Sequence, residues 1–102
     1  MRKIEEMMIQ CIKEKKSKNL GNTEISVRNG DIIVYLFGNM IAHINEGKNE
    51  AYFTTCGWST NTTKSRLNCI LQFYNLPRIT QKNFVFYIDG KEFYNRTFQF
   101  NK

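Results

Sequence analysis

The chain has 102 residues, 41% of them hydrophobic and 14% aromatic, enough for one domain with a real core and too few for two. Its 15 Lys and Arg against 9 Asp and Glu give a formal charge of +6, which favours an anionic partner such as nucleic acid or an acidic protein surface. No segment approaches the roughly 20 apolar residues of a membrane span, and no apolar run suits a signal peptide. Three scattered cysteines, Cys11, Cys56 and Cys69, argue against a disulfide framework and point to a reducing compartment.

The N-terminal residues 2–18 carry a helical stripe, with Ile4, Met7, Met8, Cys11 and Ile12 on one face. Glu5 and Glu6 lie in an early turn and Lys13, Lys15, Lys16 and Lys18 crowd the end, as the helix dipole favours. Asn19-Leu20-Gly21 offers the C-cap. Residues 22–28 then alternate, and Asn29-Gly30 is the signature of a type I′ hairpin turn. That turn sets Arg28 opposite Asp31, Val27 opposite Ile32 and Ile25 opposite Val34, so that the apolar faces agree.

The next strand, Asp31 to Phe37, is apolar on both faces and reads as an interior strand covered on both sides. Gly38-Asn39 turns the chain and Met40 to Ile44 returns. A plain two-residue loop puts His43 beside Val34 on the buried face, and a one-residue bulge reverses it; the sequence allows either. After a turn at residues 45–49, Glu50 to Thr55 forms a fourth strand. Leu67, Ile70, Leu71 and Tyr74 mark a second amphipathic helix ending near Asn75, because Pro77 disfavours helical geometry at Leu76. Residues 78–82 make a connector or short strand, Phe84 to Ile88 a strand, and Asp89-Gly90 a second I′ signal from which Lys91 to Phe100 pairs back. The expected fold is α+β: an antiparallel meander with an N-terminal helix and a second helix before a C-terminal hairpin, all in one domain over residues 1–102.

Between the fourth strand and the second helix lies Thr55-Cys56-Gly57-Trp58-Ser59-Thr60-Asn61-Thr62-Thr63-Lys64-Ser65-Arg66-Leu67-Asn68. Together with Phe37-Gly38-Asn39 and Ile44 it resembles a family of small bacteriophage proteins. In these a short meander with a Gly-Asn turn precedes a helix start of the form W-x-T-N-T-T-K-S-R-L-N. The resemblance spans roughly residues 20–72, is specific over its last dozen, and leaves the C-terminal hairpin outside. It implies a phage origin and work in the host bacterial cytoplasm. The family carries no established activity, so it implies no catalytic residue.

Thr60, Asn61 and Thr62 can each cap this helix. Lys64 and Arg66 follow where acids are favoured, and such a placement costs on the order of 0.3–1 kcal/mol unless an anion sits there. Thr62, Thr63, Lys64, Ser65 and Arg66, with Lys15 and Lys16 from the first helix, therefore form an expected anion or nucleic-acid site. The competing structural role is a pair between Lys64 or Arg66 and a meander carboxylate such as Glu46, Glu50 or Asp31. Trp58, set between Gly57 and the cap residues, is expected to be at least partly buried at the junction.

The three cysteines and His43 lack the short spacings of zinc motifs, and Cys11 and Cys69 lie on apolar stripes. No nucleophile, base or carboxylate pair has a recognisable setting, so neither enzyme activity nor a cofactor is expected. The C-terminal hairpin carries Phe84, Phe86, Tyr87, Phe93, Tyr94, Phe98 and Phe100 among Lys82, Lys91 and Arg96; such rings serve first as core, and otherwise as a protein interface through Tyr87, Tyr94, Arg96 and Phe98 or as a base-stacking face. Two functions compete. One is an accessory protein that binds nucleic acid or a nucleoprotein complex through the basic helix start. The other is an inhibitor of a host or anti-phage defence complex, of the anti-restriction or anti-CRISPR type, acting through the hairpin. The oligomeric state is not written in the sequence.

Overall fold

The computed structural model describes residues 2–100. Helix α1 (Lys3–Glu14) leads into strands β1 (Lys18–Asn19), β2 (Thr23–Arg28), β3 (Asp31–Leu36), β4 (Asn39–Asn45) and β5 (Glu50–Thr54). Helix α2 (Asn61–Phe73) follows, then β6 (Thr80–Lys82), β7 (Val85–Ile88), β8 (Lys91–Glu92) and β9 (Asn95–Gln99). The fold is α+β, and every strand pairing is antiparallel. The main sheet has the order β1-β2-β3-β4-β5-β9, and β6-β7-β8 form a smaller one.

Asn29 and Gly30 both take positive φ, and the register is the one this turn dictates: Arg28 faces Asp31, Val27 faces Ile32 and Ile25 faces Val34. The inner face carries Ile25, Ile32, Val34, Ala42, Ile44, Ala51 and Phe53, which meet Met8 and Ile12 of α1 and Leu67 and Ile70 of α2 in one buried cluster. Among the described residues, no helix covers the other face. Its residues Ile33, Tyr35, Met40, His43 and Tyr52 are half-buried and none is fully buried. The expectation that β3 is covered on both sides is therefore corrected: its apolar outer positions shelter only against their strand neighbours.

Four further boundaries differ from the sequence reading. Helix α1 stops at Glu14, not residue 18, because beyond Ile12 the stripe positions Lys15 and Lys16 offer no apolar side chain to bury. Lys15 turns left-handed at φ 53, and the Lys16 N–H closes on the Cys11 carbonyl at 3.0 Å, so the cap is Lys15 and not the Asn19-Gly21 segment. Lys18 and Asn19 instead pair with β2. The β3–β4 turn is Phe37-Gly38, with Leu36 opposite Asn39, and a bulge after Val34 sets His43 opposite Ile33 on the outer face, 3.6 Å from Asp31. Finally, the C-terminal hairpin is brief. Only Lys91 and Glu92 pair with β7, and β9 crosses to extend the main sheet beside β5, with Phe98 opposite Ala51. The ring of Phe100 lies 4.7 Å from that of Tyr74 and fastens this strand to the end of α2.

Candidate nucleic-acid interface

Thr60 caps α2: it is extended, and its Oγ1 accepts the Thr63 N–H at 3.1 Å. The first turn is then Asn61, Thr62 and Thr63, with no acid in it. The amides of Asn61 and Thr62 stand outside the helix's own ladder, at the positive end of the dipole. Thr63 is buried, its hydroxyl 2.9 Å from that of Thr60. Thr62, Lys64 and Ser65 are half-exposed, and Lys64 Nζ donates to Gln81 of β6 at 3.3 Å.

Arg66 does not belong to this surface. It is 2% exposed and its guanidinium points into the protein. Nη1 donates to Glu5 Oε2 at 2.8 Å, Nε to Thr23 Oγ1 at 3.0 Å and Nη2 to Asn22 Oδ1 at 3.4 Å, while the Ser65 hydroxyl donates to the same Glu5 oxygen at 2.5 Å. The pair expected with a meander carboxylate is made with α1 instead. Lys15 bonds Glu46 at 2.8 Å and Lys16 lies 3.6 Å from Glu14, so both lysines are engaged by carboxylates away from the helix start. Of the expected anion site, Thr62, Thr63, Lys64 and Ser65 stay together, Arg66 is buried, and Lys15 and Lys16 remain exposed beside Glu46 and Glu14.

Burial alone would raise the Glu5 carboxyl, but hydrogen bonds from Ser65, from Arg66 and from the Arg2 amide, with the Arg66 charge, outweigh it and hold the group below its ordinary 4.5. A depressed carboxylate stabilises the folded state above its unfolded pKa and loses that stabilisation as pH falls through its folded value. Urea midpoints measured from pH 7 downward should therefore hold near neutrality and fall below about pH 4.5. In a Glu5→Gln variant that acid slope should flatten. Burial, then the nearby Glu5 charge, pushes the Cys69 thiol up to about 11 and keeps it unreactive.

The expected C-terminal interface is also divided. Phe98 is buried, edge-on to Phe53 with centroids 6.0 Å apart, and Arg96 lies over its ring at 4.5 Å. Burial withdraws Phe98 from any docking surface. Tyr87 is half-buried and Tyr94 exposed, its hydroxyl donating to Glu92 at 2.9 Å.

Trp58 corrects the expectation of burial. Cys56 and Gly57 both take positive φ, the Trp58 N–H closes the turn on the Thr55 carbonyl at 2.9 Å, and the indole emerges 61% exposed. Two further rings are exposed: Phe37, which lines the same cleft as Trp58 and which the sequence places in a strand, and Phe84, which lines the adjoining hollow and belongs to the aromatic set of the C-terminal hairpin. Phe37 is 70% exposed at φ 50 and Phe84 is 90% exposed at φ 66. A bulky L-residue pays roughly 1–2 kcal/mol for left-handed backbone, and Asn pays much less. Phe37→Asn and Phe84→Asn should each raise stability by roughly 1 kcal/mol, seen as a higher urea midpoint with unchanged slope.

Three concavities lie about the start of α2, and the rings line two of them. A groove of about 700 Å³ is lined by Lys64, Ser65, Asn68, Gln72 and Arg78, among others. Lys64 reaches Gln81, which lines a second hollow of about 630 Å³ with Ser59, Asn61, Asn83 and Phe84. Thr60 lines both this hollow and a third cleft of about 410 Å³, bounded by Phe37 and Trp58. No Asp or Glu lines the second or third, and the one in the first, Glu5, is held by Arg66. Asn68 keeps this region in shape: it accepts the Ile79 N–H at 2.6 Å and donates to the Ile79 carbonyl at 3.0 Å.

The described residues contain no group of three or more His, Cys, Asp or Glu that could hold a metal ion, and no helix long and apolar enough to cross a membrane. The fold is that of a small α+β protein. The family model for the Kyanoviridae Gp96 protein matches residues 1–102, and the chain belongs to that family. The match takes in the C-terminal strands that the shorter motif resemblance left out. No curated protein and no solved structure matches the chain.

Proposed function

We propose that this phage protein is a non-enzymatic accessory factor that binds single-stranded nucleic acid in the host bacterial cytoplasm, alone or within a nucleoprotein complex. The observation that carries the reading is the grouping of three exposed rings, Phe37, Trp58 and Phe84, around a helix start with no acid in its first turn. Rings give stacking platforms for bases, and Lys64, Arg78 and Lys82 give cations for the phosphates. The net charge of +6 acts in the same direction.

The test is binding of fluorescent single strands across a salt series. Affinity should fall steeply with salt, and Lys64→Ala should weaken all sequences alike and lower the slope by about one unit. Arg66→Lys, if it folds, should leave that slope unchanged. The competing reading, a protein-binding inhibitor of a host or defence complex, gains if single strands do not bind at low salt. A host-lysate capture insensitive to nuclease but lost on Trp58→Ala would then establish it.

A further inference from the structure

No charged residue lines the cleft between Phe37 and Trp58, and unlike the equally uncharged but polar hollow beside it, its walls are mainly apolar. Leu36 and Ile41 supply buried apolar walls, Thr60 and Thr63 turn their hydroxyls to each other at 2.9 Å, and the two rings stand at the rim. Both rings are mounted on short turns whose backbone is fixed. The Phe37 N–H donates to the Asn22 carbonyl at 2.8 Å, and the Trp58 N–H to the Thr55 carbonyl at 2.9 Å. The rim is thus built in advance, and Phe37 keeps its place at φ 50 despite the strain.

We infer that this cleft receives one unstacked nucleobase of a bound single strand, an inference that rests on the nucleic-acid reading above. A base is flat, uncharged and apolar on its faces, which suits two aromatic walls and a neutral interior. Its edge carries donors and acceptors, and the Asn39 carboxamide at the cleft offers both. Charge complementarity selects this occupant over an acidic or basic side chain: the cleft offers no counter-ion, while the phosphates attached to a base would pass Thr60 towards Lys64.

The experiment compares an oligothymidylate with an abasic strand of equal length and charge, on the full chain and on its Phe37→Ala and Trp58→Ala variants. Wild type should prefer the base-bearing strand by at least about fivefold, the least that one stacked base is worth, with any base on Phe84 adding to it. Each substitution should shrink that preference at least about fivefold while leaving abasic affinity, salt slope and thermal unfolding as they were. Equal binding of both strands with a steep salt slope would overturn the inference and leave the nucleic-acid reading standing. So would a preference that survives both substitutions. If neither strand binds, the nucleic-acid reading falls and this inference with it. Retained capture of a protein partner through Trp58 would then assign the cleft to an apolar side chain.

Discussion

Arg66→Met should lose about 3–5 kcal/mol of stability, the usual cost of removing one partner of a buried ion pair. Arg66 and Glu5 are both almost wholly enclosed, and the carboxylate left behind would keep only the Ser65 hydroxyl and the Arg2 amide. A domain of this size is stable by about 5–15 kcal/mol, so the loss would be a large part of the whole. The measurement is urea unfolding, where the midpoint should fall with little change in slope. Arg66→Lys should recover only part, because one ammonium cannot reach Glu5, Thr23 and Asn22 in the planar fork that the guanidinium presents. Glu5→Met with Arg66→Met should recover most of it, since two well-packed apolar groups dispense with both desolvation penalties. A single Arg66→Met variant that stays fully stable but loses affinity for single strands would return Arg66 to the binding surface.

That pair also shows how far the sequence could be read. Both turn signals, Asn29-Gly30 and Asp89-Gly90, fall at hairpins, and the apolar alternation places the inner face of the meander as found. Local chemistry sets these features, so local sequence carries them. The sequence offers Glu5 as a complement to the helix dipole and leaves Arg66 either in an anion site or paired with a meander carboxylate, not with Glu5. Yet each sits on the apolar stripe of its own helix: Glu5 with Met8 and Ile12, Arg66 with Thr63, Leu67 and Ile70. Opposite charges on the buried stripes of two helices are themselves a signal that the helices touch there, and that signal was available. The destination of β9 was not. Lys91 follows an I′ turn, so pairing with β7 is the local expectation, and only the open edge of β5 draws the chain away after two residues. The exposed rings were hidden for a third reason. Phe37 alternates with Leu36 and Tyr35 as a strand residue would, and nothing in that pattern announces a left-handed turn carrying a phenylalanine.

The placement of β9 leads to the second large effect. Phe98→Ala should cost about 3–5 kcal/mol, as for other buried phenylalanines. The ring packs opposite Ala51, edge-on to Phe53, and beneath the Arg96 guanidinium, so its removal opens a void that Ala51 is too small to fill. The damage should spread. With β9 loosened, the row of N–H and C=O groups along β5 loses its partner, and an unpaired edge invites association with other chains. The expected result is a lowered urea midpoint together with a concentration-dependent rise in scattering on warming. Tyr94→Ala, at an exposed position immediately before β9, separates packing from surface: it should change stability by no more than about 0.5 kcal/mol. If Phe98→Ala kept full stability and lost only a partner, the ring would have to be reachable from outside. The C-terminal strand would then be an interface and not the sixth strand of the sheet.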